Sequence, residues 1–176
     1  NLAGQFESLN GQIVADGFSD IVLLGMGGSS MTSLALNELF ASSLEAESPR
    51  VRFHVLDTVI PTTIKEITRK LNPGKALFFI SSKSGSTIET LSLESYFRSL
   101  RDPDPKYSMS RRNFIALSDP GTPLSERARA GEFGTWVSTP EDVGGRFSAL
   151  SAFGMVPAAA AGLNIRKFAE SSALMA

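Results

Sequence analysis

Short apolar runs alternate along this chain with longer stretches in which apolar side chains return every three or four positions. The runs Asp20 to Leu24, Val51 to Leu56, Ala76 to Ser81, Asn113 to Ser118 and Thr135 to Ser138 predict strands. The stretches Ser30 to Ser43, Pro61 to Leu71, Thr87 to Leu100 and Thr122 to Ala130 predict helices between them. Leu2, Phe6, Leu9 and Ile13 recur at helical spacing and place a further helix before the first strand. Pro61 fits the first turn of its helix, where a missing amide hydrogen costs nothing. Beyond Gly145, Phe147 to Leu163 is rich in Ala, Leu, Phe and Met and predicts one buried helix, ended by Asn164 and followed by a short helix from Arg166. Arg101 to Arg112, with two prolines and six charges, predicts a mobile loop. Strand and helix in alternation, without an internal repeat or a linker, predict one α/β domain, 1–176, a three-layer αβα sandwich on a five-stranded parallel sheet. Ligands of such sheets lie beyond the carboxyl ends of the strands, near the switch in strand order.

Several loops fall at that end. Ser81-Ser82-Lys83-Ser84-Gly85-Ser86-Thr87 joins the third strand to its helix and concentrates hydroxyls, one glycine and one lysine at a helix start. Unpaired amides at the positive end of a helix dipole bind an anion, and short hydroxyl side chains add donors without blocking it. Gly25-Met26-Gly27-Gly28-Ser29-Ser30 follows the first strand in the same way, and Gly144-Gly145-Arg146 follows the fifth. Loops on one edge that carry two cradles imply one phosphorylated ligand held from two sides.

Composition leaves that reading open and narrows its rivals. With 42% hydrophobic residues in 176, the chain buries roughly two-thirds of its unfolded surface. A net charge of -1 gives no general pull toward nucleic acid or anionic membrane, so neither is expected as a partner and an anion must be caught locally. Without cysteine there is no disulfide and no thiolate metal site, and a reducing compartment, the cytoplasm, is the default. A single histidine excludes a multi-histidine zinc site within the chain, and neither a metal nor a cofactor is expected. No apolar run reaches the ~20 residues that span a bilayer. The chain starts at Asn1 without a methionine, as expected of a segment of a longer chain, with part of the machinery outside it.

The first loop by itself is also compatible with a dinucleotide site. It carries the first two glycines of that fingerprint, with Ser30 in place of the third, and Asp57 ends the second strand where an acid would hold a ribose. Asp57 reads equally as a helix cap or turn acceptor ahead of Pro61. The serine-rich second loop argues against a dinucleotide, which needs no second phosphate site. A nucleoside triphosphate loop requires Gly-Lys-Ser/Thr in that order, and here Lys83 precedes Ser84 and Gly85.

Taken together, Gly25-Met26-Gly27-Gly28-Ser29, Ser82-Lys83-Ser84-Gly85-Ser86-Thr87-Ile88-Glu89-Thr90 and Val143-Gly144-Gly145-Arg146-Phe147-Ser148-Ala149-Leu150-Ser151 resemble three successive signatures of phosphoglucose isomerases, in the family's order, over about Asp20 to Leu163. His54-Val55-Leu56-Asp57, Ser118-Asp119-Pro120-Gly121-Thr122 and the run Ala158 to Ala161 look most like the isomerase half of bacterial transaldolase/phosphoglucose isomerase fusions. The resemblance implies a flavodoxin-like sugar isomerase (SIS) subdomain that interconverts glucose 6-phosphate and fructose 6-phosphate in the company of a second SIS subdomain, with a homo-oligomer among the assemblies it allows. It implies that Gly28 and Ser29 touch the sugar phosphate, and that Ser82, Lys83, Ser84, Gly85, Ser86 and Thr87 wrap it, Lys83 through its amide as much as its ammonium. Arg146 matches the arginine beside the reacting carbons, with Gly144, Gly145 and Thr90 in support. A fixed cation there has a physical use, because aldose–ketose isomerisation passes through a negatively charged enediolate; the bland alternative is a surface arginine in a salt bridge.

The family's catalytic glutamate, ring-opening histidine and late lysine lie after the region this chain covers. Glu141 and Asp142 are paired carboxylates near the site, readable as general bases or as a solvated loop pair. His54 reads as a sheet-face histidine, Trp136 as packing, and Glu89 and Thr90 as stabilisers of the first helical turn through charge–dipole attraction and local hydrogen bonds. Rival readings from other classes are a non-catalytic sugar-phosphate sensor, as in the SIS domain of a regulator, and a nicotinamide-dinucleotide domain.

Overall fold

A computed structural model of the chain describes residues 9–40, 51–100 and 109–174. The expected elements are present: helix α1 (Leu9–Ala15), strand β1 (Asp20–Gly25), α2 (Gly28–Phe40), β2 (Arg52–Leu56), α3 (Pro61–Lys70), β3 (Ala76–Ser81), α4 (Ile88–Ser99), β4 (Phe114–Ser118), α5 (Pro123–Arg129), β5 (Thr135–Ser138), α6 (Ala152–Ala160) and α7 (Ile165–Leu174). Leu2 and Phe6 of the first expected helix, the end of the second beyond Phe40, and 101–108 of the expected charged loop lie outside the described residues. All five strands are parallel, in the order β2-β1-β3-β4-β5. The order reverses between β1 and β3, so the switch point falls between the two strands that feed the glycine-rich and serine-rich loops.

Because β1 and β3 are covered on both faces, they read as unbroken apolar runs. Alternate side chains divide between two cores. Ile21, Leu23, Leu77 and Phe79 pack with Ile13 of α1 and Phe153, Val156 and Ala160 of α6. On the opposite face Val22, Leu24, Phe78 and Ile80 pack with Leu93 and Phe97 of α4 and Leu124 of α5. Burial of each such large side chain is worth about 1.5–3 kcal/mol, so this two-sided pattern fixes the register of the central strands.

The stretch after Gly145 departs from expectation. Instead of one buried helix over Phe147 to Leu163, Gly145–Leu150 forms a 3₁₀ turn and α6 starts only at Ala152. Ser151 is the reason: its hydroxyl accepts the Phe153 amide at 3.3 Å and caps a new helix there. Phe147 and Leu150 are exposed as a result. Asn164 caps the following helix, accepting the Lys167 amide at 3.0 Å, rather than merely ending the preceding one.

Candidate functional site

The loop after β1 turns through Gly27, whose φ of +61° is left-handed. That turn allows the Ser30 and Met31 amides to close on the Gly27 carbonyl at 3.1 and 3.0 Å, opening α2 beside the switch point. Ser30 is buried and its hydroxyl donates to the same carbonyl at 3.1 Å. Asp57 is exposed beyond β2 and caps nothing, since the capping position of α3 is Ile60 and carries no side-chain bond.

The loop after β3 is shaped by its own hydroxyls and by Gly85. Ser82, buried, shares a hydrogen bond of 2.9 Å with Thr87, and the exposed Ser86 hydroxyl donates to Ser84 at 3.1 Å. The Gly85 amide closes a turn on the Ser82 carbonyl at 3.1 Å, with φ +65° at Gly85. Thr87 occupies the capping position of α4 without bonding to its first turn. The first-turn amides therefore lack both an intrahelical partner and a side-chain cap, which is the arrangement that receives an anion. Thr90 differs from expectation. It is fully buried and its hydroxyl finds no partner among the described residues, so it makes no local hydrogen bond in the first turn.

The Lys83 ammonium is engaged by protein groups on the cleft wall. Its ammonium donates to Asp119 Oδ2 at 2.5 Å and to the carbonyls of Glu141 and Pro140 at 2.9 and 3.4 Å, spanning the loops after β3, β4 and β5. A cleft of about 550 Å³ lies between these loops, lined by Met26, Gly28, Lys83, Ser84, Thr87, Asp119, Pro120, Thr122 and Glu141. Of the residues singled out in the sequence, Gly28, Lys83, Ser84, Thr87 and Glu141 line it, whereas Ser82, Gly85 and Ser86 shape the loop and Thr90 lies in the interior. Asp119 and Thr122 are additional wall residues. In the sequence they stand in the segment Ser118-Asp119-Pro120-Gly121-Thr122, which carries part of the resemblance but does not read as part of the site.

The 3₁₀ turn Gly145–Leu150 docks on the start of α2, where the Ser148 hydroxyl donates to the Gly28 carbonyl at 3.0 Å. The Arg146 backbone thus stands beside the glycine-rich loop; the Arg146 and Ser29 side chains lie outside the described residues. Glu141 and Asp142 are both exposed, and Glu141 lines the cleft. His54 is remote from the cleft: its Nε2 lies 3.2 Å from Asp20 Oδ1, at the amino end of β1, where the buried Asp20 carboxylate also accepts from Ser19 and Arg52 at 2.8 Å each. Trp136 packs against the second core and donates to Ser118 at 3.2 Å. Among the described residues there is no cluster of three or more metal-ligating side chains, and no helix long and apolar enough to cross a membrane.

The chain is similar in sequence and fold to known proteins. The family model for phosphoglucose isomerase matches residues 3–175. A glucose-6-phosphate isomerase of Thermus thermophilus is 40% identical over 148 residues, which cover 83% of this chain and 34% of the relative. One from Carboxydothermus hydrogenoformans is 34% identical over 172 residues, 93% of this chain and 36% of the relative. The crystal structure of a glucose-6-phosphate isomerase from Chlamydia trachomatis superposes with a TM-score of 0.76 at 26% identity, over 90% of this chain and 29% of that one. The chain spans about a third of the length of these relatives. With the family model matched over residues 3–175 and a shared fold, the chain belongs to the phosphoglucose isomerase family.

Proposed function

We propose that this chain is the phosphate-gripping SIS subdomain of an isomerase that interconverts glucose 6-phosphate and fructose 6-phosphate. The observation that carries the reading is the uncapped start of α4 at the sheet's switch point, flanked by Ser84 and Thr87 and faced by the start of α2. In this reading the first-turn amides of α4, with Ser82, Ser84, Ser86, Thr87, Gly28 and Ser29, hold the phosphate. The Lys83 backbone belongs to this grip, while its ammonium is engaged elsewhere. Arg146 stabilises the enediolate, where a preorganised cation is worth ~10²–10³ in rate. The proton shuttle between C1 and C2 and the ring-opening acid belong to a second SIS subdomain of the same protein. Support for such a companion comes from large apolar side chains exposed at the strands' carboxyl edge: Ile60, Ile88 at 69%, and Phe147 at 79%. The full protein works in the cytoplasm as a homo-oligomer.

A coupled isomerase assay tests this. In the full-length protein Arg146→Ala is expected to lower kcat by about 10²-fold with little change in KM, as for an interaction made mainly in the transition state. A large rise in KM at constant kcat would make Arg146 a binding residue instead. The 176-residue chain alone is expected to show no turnover, since general acid–base catalysis, commonly ~10²–10⁴-fold, is missing from it. Turnover by the chain alone that vanishes in Glu141→Gln or Asp142→Asn would place a complete site within it, and full-length protein that binds fructose 6-phosphate without turnover would make it a sensor.

A further inference from the structure

A lysine in a phosphate-binding loop is expected to offer its ammonium to the phosphate, and that of Lys83, on the cleft wall, is instead bonded to protein acceptors. An ammonium has three donors, and three acceptors surround this one: Asp119 Oδ2, the Glu141 carbonyl and the Pro140 carbonyl. Asp119 is itself fixed. It is 8% exposed, its Oδ1 accepts from Thr139 Oγ1, and its amide donates to the Lys83 carbonyl at 3.3 Å. A charge-assisted arrangement on a buried, fixed carboxylate is short-ranged and directional, so it defines where its partners sit.

What it defines is the approach to Arg146. Pro140 and Glu141 lie in a turn closed by the Val143 amide on the Pro140 carbonyl at 3.4 Å, and the next residue, Gly144, opens the 3₁₀ turn. At the other end Ser148 is tied to Gly28 at 3.0 Å. The Gly144-Gly145-Arg146 backbone is therefore suspended between two anchors, Lys83 on the phosphate loop and Gly28 on the glycine-rich loop. We propose that Asp119 is a positioning residue of the isomerase: by holding the Lys83 ammonium against the Pro140 and Glu141 carbonyls, it sets the distance between the phosphate grip and the Arg146 segment. The inference rests on the reading of this cleft as a hexose phosphate isomerase site.

The competing role, in which Asp119 merely tempers the attraction of Lys83 for phosphate, has the opposite electrostatic signature. Asp119→Asn removes a negative charge from the cleft wall, which by Coulomb's law favours an anionic ligand. A tempering role thus predicts a lower KM at constant kcat. A positioning role predicts a loss in kcat, because misplacement of the Arg146 segment is felt in the transition state.

The test uses full-length protein carrying Asp119→Asn, Lys83→Met or both, with Thr139→Val as a milder variant that retains every charge. Kinetics with fructose 6-phosphate and backbone hydrogen exchange of residues 140–147 are read together. Each single variant is expected to lower kcat about tenfold or more with KM within about threefold. The double variant is expected to be no worse than the poorer single one, as for partners in one network. Exchange over 140–147 is expected to rise about tenfold, with a smaller rise of the same sign in Thr139→Val. A lower KM with unchanged kcat, or unchanged exchange in the single variants, overturns the proposal. If wild-type protein fails to isomerise while exchange still rises in the variants, the isomerase reading falls and the clamp on the Arg146 segment stands.

Discussion

Two glycines in the phosphate-side loops illustrate how differently a left-handed residue can be required. Gly27 and Gly85 have nearly the same φ, +61° and +65°. A Cβ on Gly27 would meet open space, so Gly27→Ala pays only the backbone strain, about 1–2 kcal/mol. A Cβ on Gly85 would stand 2.7 Å from Thr122 Oγ1 and 2.9 Å from the Leu124 amide nitrogen. Gly85→Ala therefore adds a collision with the start of α5 to the same strain, and is expected to cost more than Gly27→Ala, about 2–4 kcal/mol, while weakening phosphate binding. Chemical denaturation of the two variants side by side checks the order; equal losses would mean that the loop shifts freely away from Thr122. Neither the collision nor the fate of the hydroxyls was legible in the sequence. Five hydroxyls in Ser81 to Thr87 read as donors to a ligand, yet Ser82 pairs with Thr87 and Ser86 with Ser84. Residue type fixes what a side chain can bond; only the turn decides with whom.

Helix α4 carries the proposed phosphate grip at its start and an ion-pair cluster further along. Glu94, 2% exposed, accepts from Arg98 Nε at 2.8 Å and from both terminal nitrogens of Arg127 on α5, at 2.9 and 2.8 Å. The hydrogen bonds that Arg127 donates to Glu94 hold its guanidinium above its ordinary pKa, against the opposing pull of burial, with Glu132 adding to the rise. Arg98 also lies 4.0 Å from the Phe114 ring centroid and 4.8 Å from that of Phe133. Glu94→Ala leaves two guanidinium groups without their shared buried partner and is expected to cost about 3–5 kcal/mol. Urea unfolding measures this, and a loss below about 1 kcal/mol would show that the cluster acts as a solvated surface network. On the sequence Glu94 looks like any polar position beside Leu93 and Phe97, because its partner Arg127 is 33 residues away. The 3₁₀ turn Gly145–Leu150 escaped for a related reason: its composition is helical, but Ser148 and Ser151 spend their hydroxyls on Gly28 and on a new helix cap.

For the molecule as a whole, the alternation of apolar runs and amphipathic stretches was enough to expect a five-stranded parallel sheet, and the observed order β2-β1-β3-β4-β5 is that sheet. The gathering of the three motifs at one edge was legible as well, since all three follow strands at their carboxyl ends. What the pattern could not show is the crossing of loops: Lys83 reaching to Asp119 and Glu141, and Ser148 reaching to Gly28, join residues 36 to 120 positions apart. With a net charge of -1, the chain offers no general field for anions, and the proposed phosphate grip rests on the start of α4. Titration of isotopically labelled chain with fructose 6-phosphate, followed by backbone amide NMR, tests that claim most directly. Saturable shifts are expected to centre on residues 82–90 and on the start of α2, with the same sites moved by inorganic phosphate and none by unphosphorylated fructose. Equal perturbation by fructose, or shifts from fructose 6-phosphate confined to other parts of the sheet, would contradict the account.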